Sequence, residues 1–139
     1  MSKPKVVVAG HICIDITPIF PTDSANAATA QKAIHEILIP GTLTRVRGVD
    51  IHAGGVVANT GLAMELFGVD VSLMGKVGKD AFGSMILSLL RDKGAGDGMI
   101  VSDGASTSYS VVIAIPGCDR IFLHDPGAND DFRFSDLDF

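Results

Sequence analysis

The chain has 139 residues, long enough to bury a core as one domain, and its net charge is −5. Excess negative charge argues against nucleic acid as a partner, because duplex binding relies on clustered Lys and Arg. No stretch approaches about 18 consecutive apolar residues, so we expect no membrane partner and no membrane span.

Charged residues make up 19% of the sequence and hydrophobic residues 47%. So few charges suggest that a partner subunit, or a further part of the same chain, covers some of the surface. The apolar run that begins at Lys5 stops at Gly10, which is too short for a secretory signal. Cys13 and Cys118 lack the spacing of a disulfide framework, which fits a reducing cytoplasm.

The first predicted element is a buried parallel strand over Lys5–Ala9, a β-branched run that ends at a glycine. Asp15 follows just beyond the carboxyl end of this strand, where ligands of open α/β sheets gather. Residues 18–33 are irregular and predict a loop. Two strand-like pieces come next, and we interpret them as a small inserted sheet: residues 34–39 and residues 42–52, the second with a possible bulge at Gly48.

The middle of the chain alternates helices and strands. Apolar residues at helical spacing predict two helices, and a glycine follows each of them as a helix stop. Asp80 is expected to cap the second helix. The predicted elements are a helix over 56–67 before Gly68, a strand over 69–74, a helix from 80 to about 92 before Gly94, and a strand over 99–102.

Residues 108–115 and 120–124 predict a hairpin with a four-residue loop. One face of its first strand carries Tyr109, Val111, Ile113 and Ile115, and the other carries small side chains. The alternating order of the whole chain is typical of βαβ units and a mostly parallel sheet. The extra strands fit poorly in that sheet, and we expect them to form a lid.

The candidate binding residues are Asp15 and the segment from Gly54-Gly55 to Asn59. Paired glycines let the backbone approach a ligand, a carboxylate accepts hydrogen bonds from adjacent hydroxyls, and a carboxamide both donates and accepts. This set suits a polyhydroxylated small molecule better than a phosphate. The plain alternative is a turn aspartate, a helix-capping asparagine and two turn glycines.

The loop from Gly75 to Gly83 carries Lys76 and Lys79 before a helix start, which could attract an anion. The alternative is two solvated lysines beside an Asp80 helix cap. A Walker A loop is excluded, because Asp70 stands where its first glycine is required and Val77 where Ser or Thr is required. No metal site is expected, since the Cys and His residues lack zinc spacing.

The order and spacing of these motifs resemble the N-terminal portion of the ribokinase (PfkB) family of carbohydrate kinases over nearly the whole chain. The matching residues are Val8-Ala9-Gly10 with Asp15, Gly54-Gly55 through Asn59, Gly68-Val69, Gly75 to Asp80 with Phe82-Gly83, Thr107-Ser108, Gly117 with Arg120, and Gly127-Ala128-Asn129.

The resemblance implies a ribokinase-like α/β fold, a mostly parallel sheet flanked by helices, with a small inserted β-sheet lid. Residues 1–139 are then the N-terminal part of one such domain, with lid strands at about 17–20, 34–52 and 107–124. It also implies that Asp15, Gly54, Gly55 and Asn59 hold sugar hydroxyls. The lid strands close over the sugar and often form a homodimer contact, which an exposed sheet edge could also provide.

The family's ATP site, anion hole and catalytic Asp lie in a C-terminal half that this sequence does not contain. ATP and Mg²⁺ are therefore implied by the family but not expected to bind this chain alone, and no residue here is named as catalytic. The segment Gly94-Ala95-Gly96-Asp97 imitates the end of the family's catalytic motif, but Arg91 and Asp92 stand where Asp-Thr is required, so we interpret it as coincidence. Val56 replaces the lysine that often follows the paired glycines of ribose-type members.

The leading hypothesis is the sugar-binding portion of an ATP-dependent carbohydrate kinase, which transfers the γ-phosphate of ATP to a sugar hydroxyl and is inactive as this chain alone. Alternatives are a non-catalytic sugar-binding or oligomerisation module, part of a nucleoside kinase, and a nucleotide-binding α/β domain of another family. The last is disfavoured by the missing phosphate loops. Which sugar binds is not determined by the sequence.

Overall fold

A computed structural model describes residues 5–21, 34, 38–115 and 118–137. In chain order its elements are β1 (Lys5–Ala9), β2 (Cys13–Ile19), β3 (Gly48–Gly54), a π-helical turn (Val57–Gly61), α1 (Leu62–Leu66), β4 (Asp70–Gly78), α2 (Ala81–Arg91), β5 (Gly98–Ser102), β6 (Tyr109–Ile113), β7 (Ile121–Asp125), and two 3₁₀ turns, Gly127–Asp131 and Phe134–Asp136. No helix of this described part is long and apolar enough to cross a membrane.

The first sheet is parallel throughout and has the strand order β1-β4-β5. The predicted strands of this sheet are confirmed, although β4 continues to Gly78, four residues beyond the predicted end. Helical connections link its strands in the manner of βαβ units. The sheet and α2 enclose the main hydrophobic core, whose buried members are Val8, Ile12, Ile14, Val57, Leu73, Val77, Ile86 and Leu90.

The second sheet has four strands in the order β3-β2-β6-β7, with β2 and β6 parallel and the two outer pairs antiparallel. The predicted hairpin supplies β6 and β7. Asp15 follows β1 as predicted and lies inside β2, of which only the end had been predicted, as the lid strand at about 17–20. Ile14 and Ile16 alternate with polar residues there, which is the period of a strand.

The inserted region also departs from the predicted strands. The strand predicted over 42–52 begins instead at Gly48, so the predicted bulge residue is the first residue of β3, paired with Ile19. Of the strand predicted over 34–39, only Ile34, Leu38 and Ile39 are described, and none of them lies in a strand. The remainder of that prediction falls outside the described residues.

The helix stops are the predicted glycines. Gly68 and Gly94 have φ of 78° and 72°, in the left-handed region. At the end of α2 the Ala95 N–H donates to the Leu90 carbonyl and the Gly94 N–H donates to the Arg91 carbonyl, both at 2.9 Å. This is a Schellman cap, and the Gly68 end has the same pairing. The helix predicted over 56–67 is present, but it opens with a π-helical turn.

Asp80 caps α2 as predicted, accepting from the Gly83 N–H at 2.8 Å. The sequence did not indicate its second partner, Thr107, whose N–H and hydroxyl both donate to the Asp80 carboxylate at 2.7 Å. Thr107 Oγ1 in turn accepts from the Gly78 N–H at 2.8 Å. One carboxylate thus ties the start of α2 to the segment that leads into β6, and so links the two sheets.

The Asp80 carboxylate should make stability depend on acid pH. Burial acts to raise the pKa of Asp80, but hydrogen bonds from Thr107 and Gly83 outweigh it and hold the pKa below its ordinary value. Its contribution is therefore complete above the unfolded pKa of about 3.9 and is lost as pH falls through the lower folded pKa. We expect Asp80→Asn to lower the free energy of unfolding by about 2 kcal/mol at neutral pH.

Urea unfolding at neutral and acid pH checks this expectation. Asp103→Asn is the matched control, because Asp103 pairs with Lys79 while its side chain is 82% exposed. Such a surface ion pair is worth about 0–1 kcal/mol. Equal losses in the two variants would contradict the proposed link between the sheets.

Candidate functional site

The second sheet has two chemically different faces, because residues paired across its strands point the same way. Its polar face carries Cys13, Asp15, Thr17, Asp50, His52, Ser110 and His124, together with the apolar Val112 and Phe122. Its apolar face carries Ile14, Ile16, Val49, Ile51, Tyr109, Val111, Ile113, Ile121 and Leu123. Asp15 is paired with both His52 and Ser110, so it lies at the centre of the polar face.

The structure brings Asp15, Gly54 and Gly55 together. A Cβ added to Gly54 would lie 2.1 Å from Asp15 Oδ2, so the carboxylate rests directly against this glycine. Gly55 has φ of 83°, and a Cβ there would lie 2.4 Å from the His11 carbonyl oxygen. Both glycines are therefore required by close approach, and the left-handed φ adds a second reason at Gly55.

Asn59 lies elsewhere. It is in the π-helical turn, its side chain is exposed, and it faces an open cleft rather than the Asp15 carboxylate. That cleft is lined by Ala53, Ala58, Leu62, Ala63, Glu65, Leu66, Asp92 and Lys93 as well as Asn59. A sugar contact from Asn59 therefore stays a prediction, and π-helical turns are frequent at functional sites.

Cys13 is a polar neighbour of Asp15, and its thiol donates to Asp15 Oδ1 at 3.4 Å. Burial raises the pKa of this thiol to about 12, and the Asp15 charge contributes in the same direction. Cys13 therefore stays a neutral donor at physiological pH. Its effect is to hold the carboxylate of Asp15 in one orientation.

Two histidines extend the polar face. The rings of His11 and His124 meet edge to face with centroids 5.3 Å apart. His124 Nδ1 lies 3.0 Å from Ser110 Oγ, and His11 Nε2 lies 3.4 Å from Ser108 Oγ. Both serines are buried. The sequence analysis did not find this group, although the polar residues that alternate along the predicted hairpin were a signal for it.

Asn129 positions the start of the site. Its Oδ1 accepts from the Ile12 N–H at 3.1 Å, and its Nδ2 donates to the Ile12 carbonyl at 2.9 Å. Nδ2 also donates to the Pro126 carbonyl at 3.1 Å. The chain between β1 and β2 is thereby attached to the 3₁₀ turn that follows β7. The sequence placed Asn129 within a motif without indicating this role.

The two lysines of the 75–83 loop are engaged by oxygen atoms of the protein. Lys76 donates to the Asp131 carbonyl at 3.1 Å and lies 3.5 Å from the Asp136 carboxylate. Lys79 pairs with Asp103 at 2.9 Å on the surface. These contacts favour paired lysines over an anion site, but only Lys79 is solvated: its side chain is 75% exposed, whereas that of Lys76 is 17% exposed.

The remaining motif, Gly94 to Asp97, forms the Schellman stop of α2 and the turn into β5. This supports its interpretation as coincidence. Within the described residues, no group of three or more His, Cys, Asp or Glu side chains could hold a metal ion.

Several known proteins share this architecture. The solved structures that share this fold include ribokinase from Giardia lamblia, with a TM-score of 0.76 at 21% identity over 95% of this chain and 39% of that one. Another is fructokinase from Xylella fastidiosa with bound ATP, with a TM-score of 0.70 at 22% identity over 99% of this chain and 38% of that one. The fold is therefore ribokinase-like, as the sequence predicted.

The family is settled by sequence. Residues 3–139 match the pfkB family of carbohydrate kinases, and this chain belongs to that family. Among its relatives is the probable fructokinase-6 of Arabidopsis thaliana, a chloroplastic protein, 34% identical over 141 aligned residues that cover 99% of this chain and 32% of the relative. The chain spans between 22% and 32% of the length of the fructokinases that it matches.

The glycine turn at the site should tolerate no side chain. Gly41→Ala is a matched control, since Gly41 has φ of 78° and nothing lies within 4 Å of an added Cβ. Both substitutions carry the left-handed cost of about 1–2 kcal/mol. We expect Gly55→Ala to lower the free energy of unfolding by roughly 1–3 kcal/mol more, because its Cβ overlaps the His11 carbonyl. Thermal and urea unfolding measure the difference, and equal values would contradict a tightly packed turn.

Proposed function

We propose that this chain is the sugar-binding portion of a carbohydrate kinase that transfers the γ-phosphate of ATP to a sugar hydroxyl. The single observation that carries the proposal is the contact of the Asp15 carboxylate with the Gly54-Gly55 turn on the polar face. A carboxylate fixed beside a glycine turn is suited to binding adjacent hydroxyls. Membership of the pfkB family supports the reaction class.

We propose Asp15, Gly54 and Gly55 as the residues that bind the sugar, with Asn59 as a fourth. Asn59 faces a different cleft from Asp15, so its contact with a sugar would require the ligand or the helix turn to bring the two together. The polar face then acts as the inner surface of a lid, as the family resemblance implies for the strands over about 17–20, 34–52 and 107–124.

Phosphotransfer by this chain alone is not expected. The reaction needs a general base for the sugar hydroxyl and groups that stabilise the charge on the moving phosphoryl group. The lysines nearest a helix start, Lys76 and Lys79, are already paired with protein oxygens. We therefore propose that ATP and Mg²⁺ bind to residues outside this chain, in the longer sequence that its relatives possess.

We further propose a homodimer formed through the apolar face of the second sheet. Near β2 this face is covered by the core, but farther out Val49, Ile51 and Leu123 are 52%, 38% and 56% exposed. Exposed apolar side chains of this kind on the two edge strands, β3 and β7, are typical of protein interfaces. The same observation favours the second candidate function, an oligomerisation module without catalysis, if sugar binding is absent.

Sugar affinity tests the first proposal directly. We expect the purified chain to bind D-fructose and Asp15→Asn to weaken that binding about 10- to 100-fold, because hydrogen bonds to a charged acceptor are worth about 1.5–3 kcal/mol. Asn59→Ala is expected to weaken it less, by about tenfold or below. Isothermal titration calorimetry supplies the affinities, and adding ATP and Mg²⁺ to the same samples should yield no fructose phosphate.

The control for that experiment is Asp103→Asn, which removes an exposed carboxylate away from the polar face. Undiminished binding by Asp15→Asn would contradict the proposed sugar site. Rapid phosphorylation by the 139-residue chain would contradict the proposal that ATP and Mg²⁺ bind to residues outside it. Self-association with no affinity for any sugar would instead support the oligomerisation module.

Light scattering tests the dimer. Leu123→Lys places a charge on the apolar face, and we expect it to convert a dimer into a monomer because a buried unpaired charge is costly at an interface. Leu66→Lys is the matched control, since Leu66 is 85% exposed on α1 and lies outside that sheet. A monomeric wild-type chain, or dissociation caused equally by both variants, would reject this interface.

A further inference from the structure

The hydrogen bonds around His11 fix which of its nitrogens carries a proton. Ser108 Oγ donates its only hydrogen to the Asp125 carbonyl oxygen at 2.8 Å. Toward His11 Nε2, 3.4 Å away, the same oxygen can therefore only accept. His11 must carry its hydrogen on Nε2, and in the neutral ring the lone pair then lies on Nδ1.

The surroundings keep this ring neutral. Burial lowers the pKa of His11, and the charge that His124 can carry lowers it further, whereas the Asp15 carboxylate acts in the opposite direction without reversing the shift. Because the pKa lies below its ordinary value, His11 is uncharged at neutral pH. His11 Nδ1 is then a hydrogen-bond acceptor.

This acceptor faces the glycine turn. A Cβ added to Gly55 would lie 2.7 Å from His11 Nδ1, so the nitrogen points at the same short backbone segment that Asp15 contacts through Gly54. The wall of the site beside these glycines thus presents two acceptors, a carboxylate and an imidazole nitrogen. The ion pairs formed by Lys76, Lys79 and Arg133 involve none of these groups, and Arg120 lies over the Phe122 ring, 5.4 Å from its centroid.

We propose that His11 is a specificity-determining residue whose neutral Nδ1, together with Asp15, makes the site select a neutral polyhydroxylated acceptor over a sugar acid. Hydroxyl groups can donate to both acceptors at once, whereas a carboxylate would meet the charge of Asp15 and a lone pair. This inference rests on the proposed function of the site as a sugar-binding site.

Acidification is expected to remove this selectivity. Protonated His11 donates from both nitrogens, so it no longer accepts a hydroxyl hydrogen and no longer disfavours an anion. The other groups of the polar face that can carry charge are Cys13 and Asp15 on β2, Asp50 and His52 on β3, and His124 on β7. His52 and His124 are the other imidazoles among these groups, so their variants separate the possibilities.

The test is the affinity of the chain for D-fructose and for D-gluconate at about pH 7.5 and at about pH 5, measured by calorimetry. At the higher pH we expect fructose to bind at least about tenfold more tightly, and at the lower pH this preference should shrink about tenfold. His11→Asn, whose amide oxygen can replace Nδ1 as an acceptor without titrating, should retain fructose binding and lose the pH dependence. His124→Gln and His52→Gln should retain a pH dependence.

Three results would overturn the inference. The first is gluconate binding as tight as fructose binding in the wild-type chain at the higher pH, a measurement that requires no variant to fold. The second is a pH dependence that persists in His11→Asn, and the third is a pH dependence that vanishes in His124→Gln or His52→Gln. If neither ligand binds at either pH, the sugar site itself is rejected along with the inference, whereas the first three results leave sugar binding intact.

Discussion

The hydrogen bonds between the backbone of one buried residue, Ile12, and the carboxamide of Asn129 hold the site together. The side chain of Ile12 is fully buried, and at this residue the chain passes from one sheet to the other. Neither sheet pairs the Ile12 N–H and carbonyl, and Asn129 takes both. A buried peptide left without partners would cost about 1–3 kcal/mol for each group. Asn129, near the end of the described residues, is therefore required to satisfy the backbone of Ile12 near their start.

The hydrogen bonds between Asn129 and Ile12 also fix the geometry of the polar face. Because Ile12 is fixed, His11 on one side and Cys13 on the other have little freedom, and the His11 carbonyl is in place to accept from the Val57 N–H at the start of the helical segment. Asp15 follows in β2, held by the Cys13 thiol. Preorganisation of this kind lowers the entropy that a ligand must lose on binding.

Local patterns in the sequence predicted much of the fold. Strand β1, both helix stops, the Asp80 cap and the hairpin all depend on neighbouring residues, and all are present in the structure. Asp15 was found as a candidate residue, yet only the end of its strand was predicted, since β2 is stabilised by partners about 35 and 95 residues away in the chain. The inserted region was predicted least well because its strand pattern competes with loops of similar composition.

The side-chain links between distant segments could not be predicted. Thr107 on Asp80 and Asn129 on Ile12 depend on how the two sheets meet, which no local pattern encodes. The histidine pair has the same origin, since His11 and His124 are brought together only when β7 takes its place beside β6. For Asn59, the sequence motif identified the residue but did not indicate which cleft its side chain would line.

The thiol at the centre of the polar face has a chemical consequence. A thiol whose pKa is about 12 is ionised at neutral pH to the extent of only on the order of one molecule in 10⁵. Because the thiolate is the species that oxidants and alkylating agents attack, Cys13 resists both while still donating a hydrogen bond. We therefore expect Cys13 to remain unmodified beside the Asp15 carboxylate under oxidising conditions.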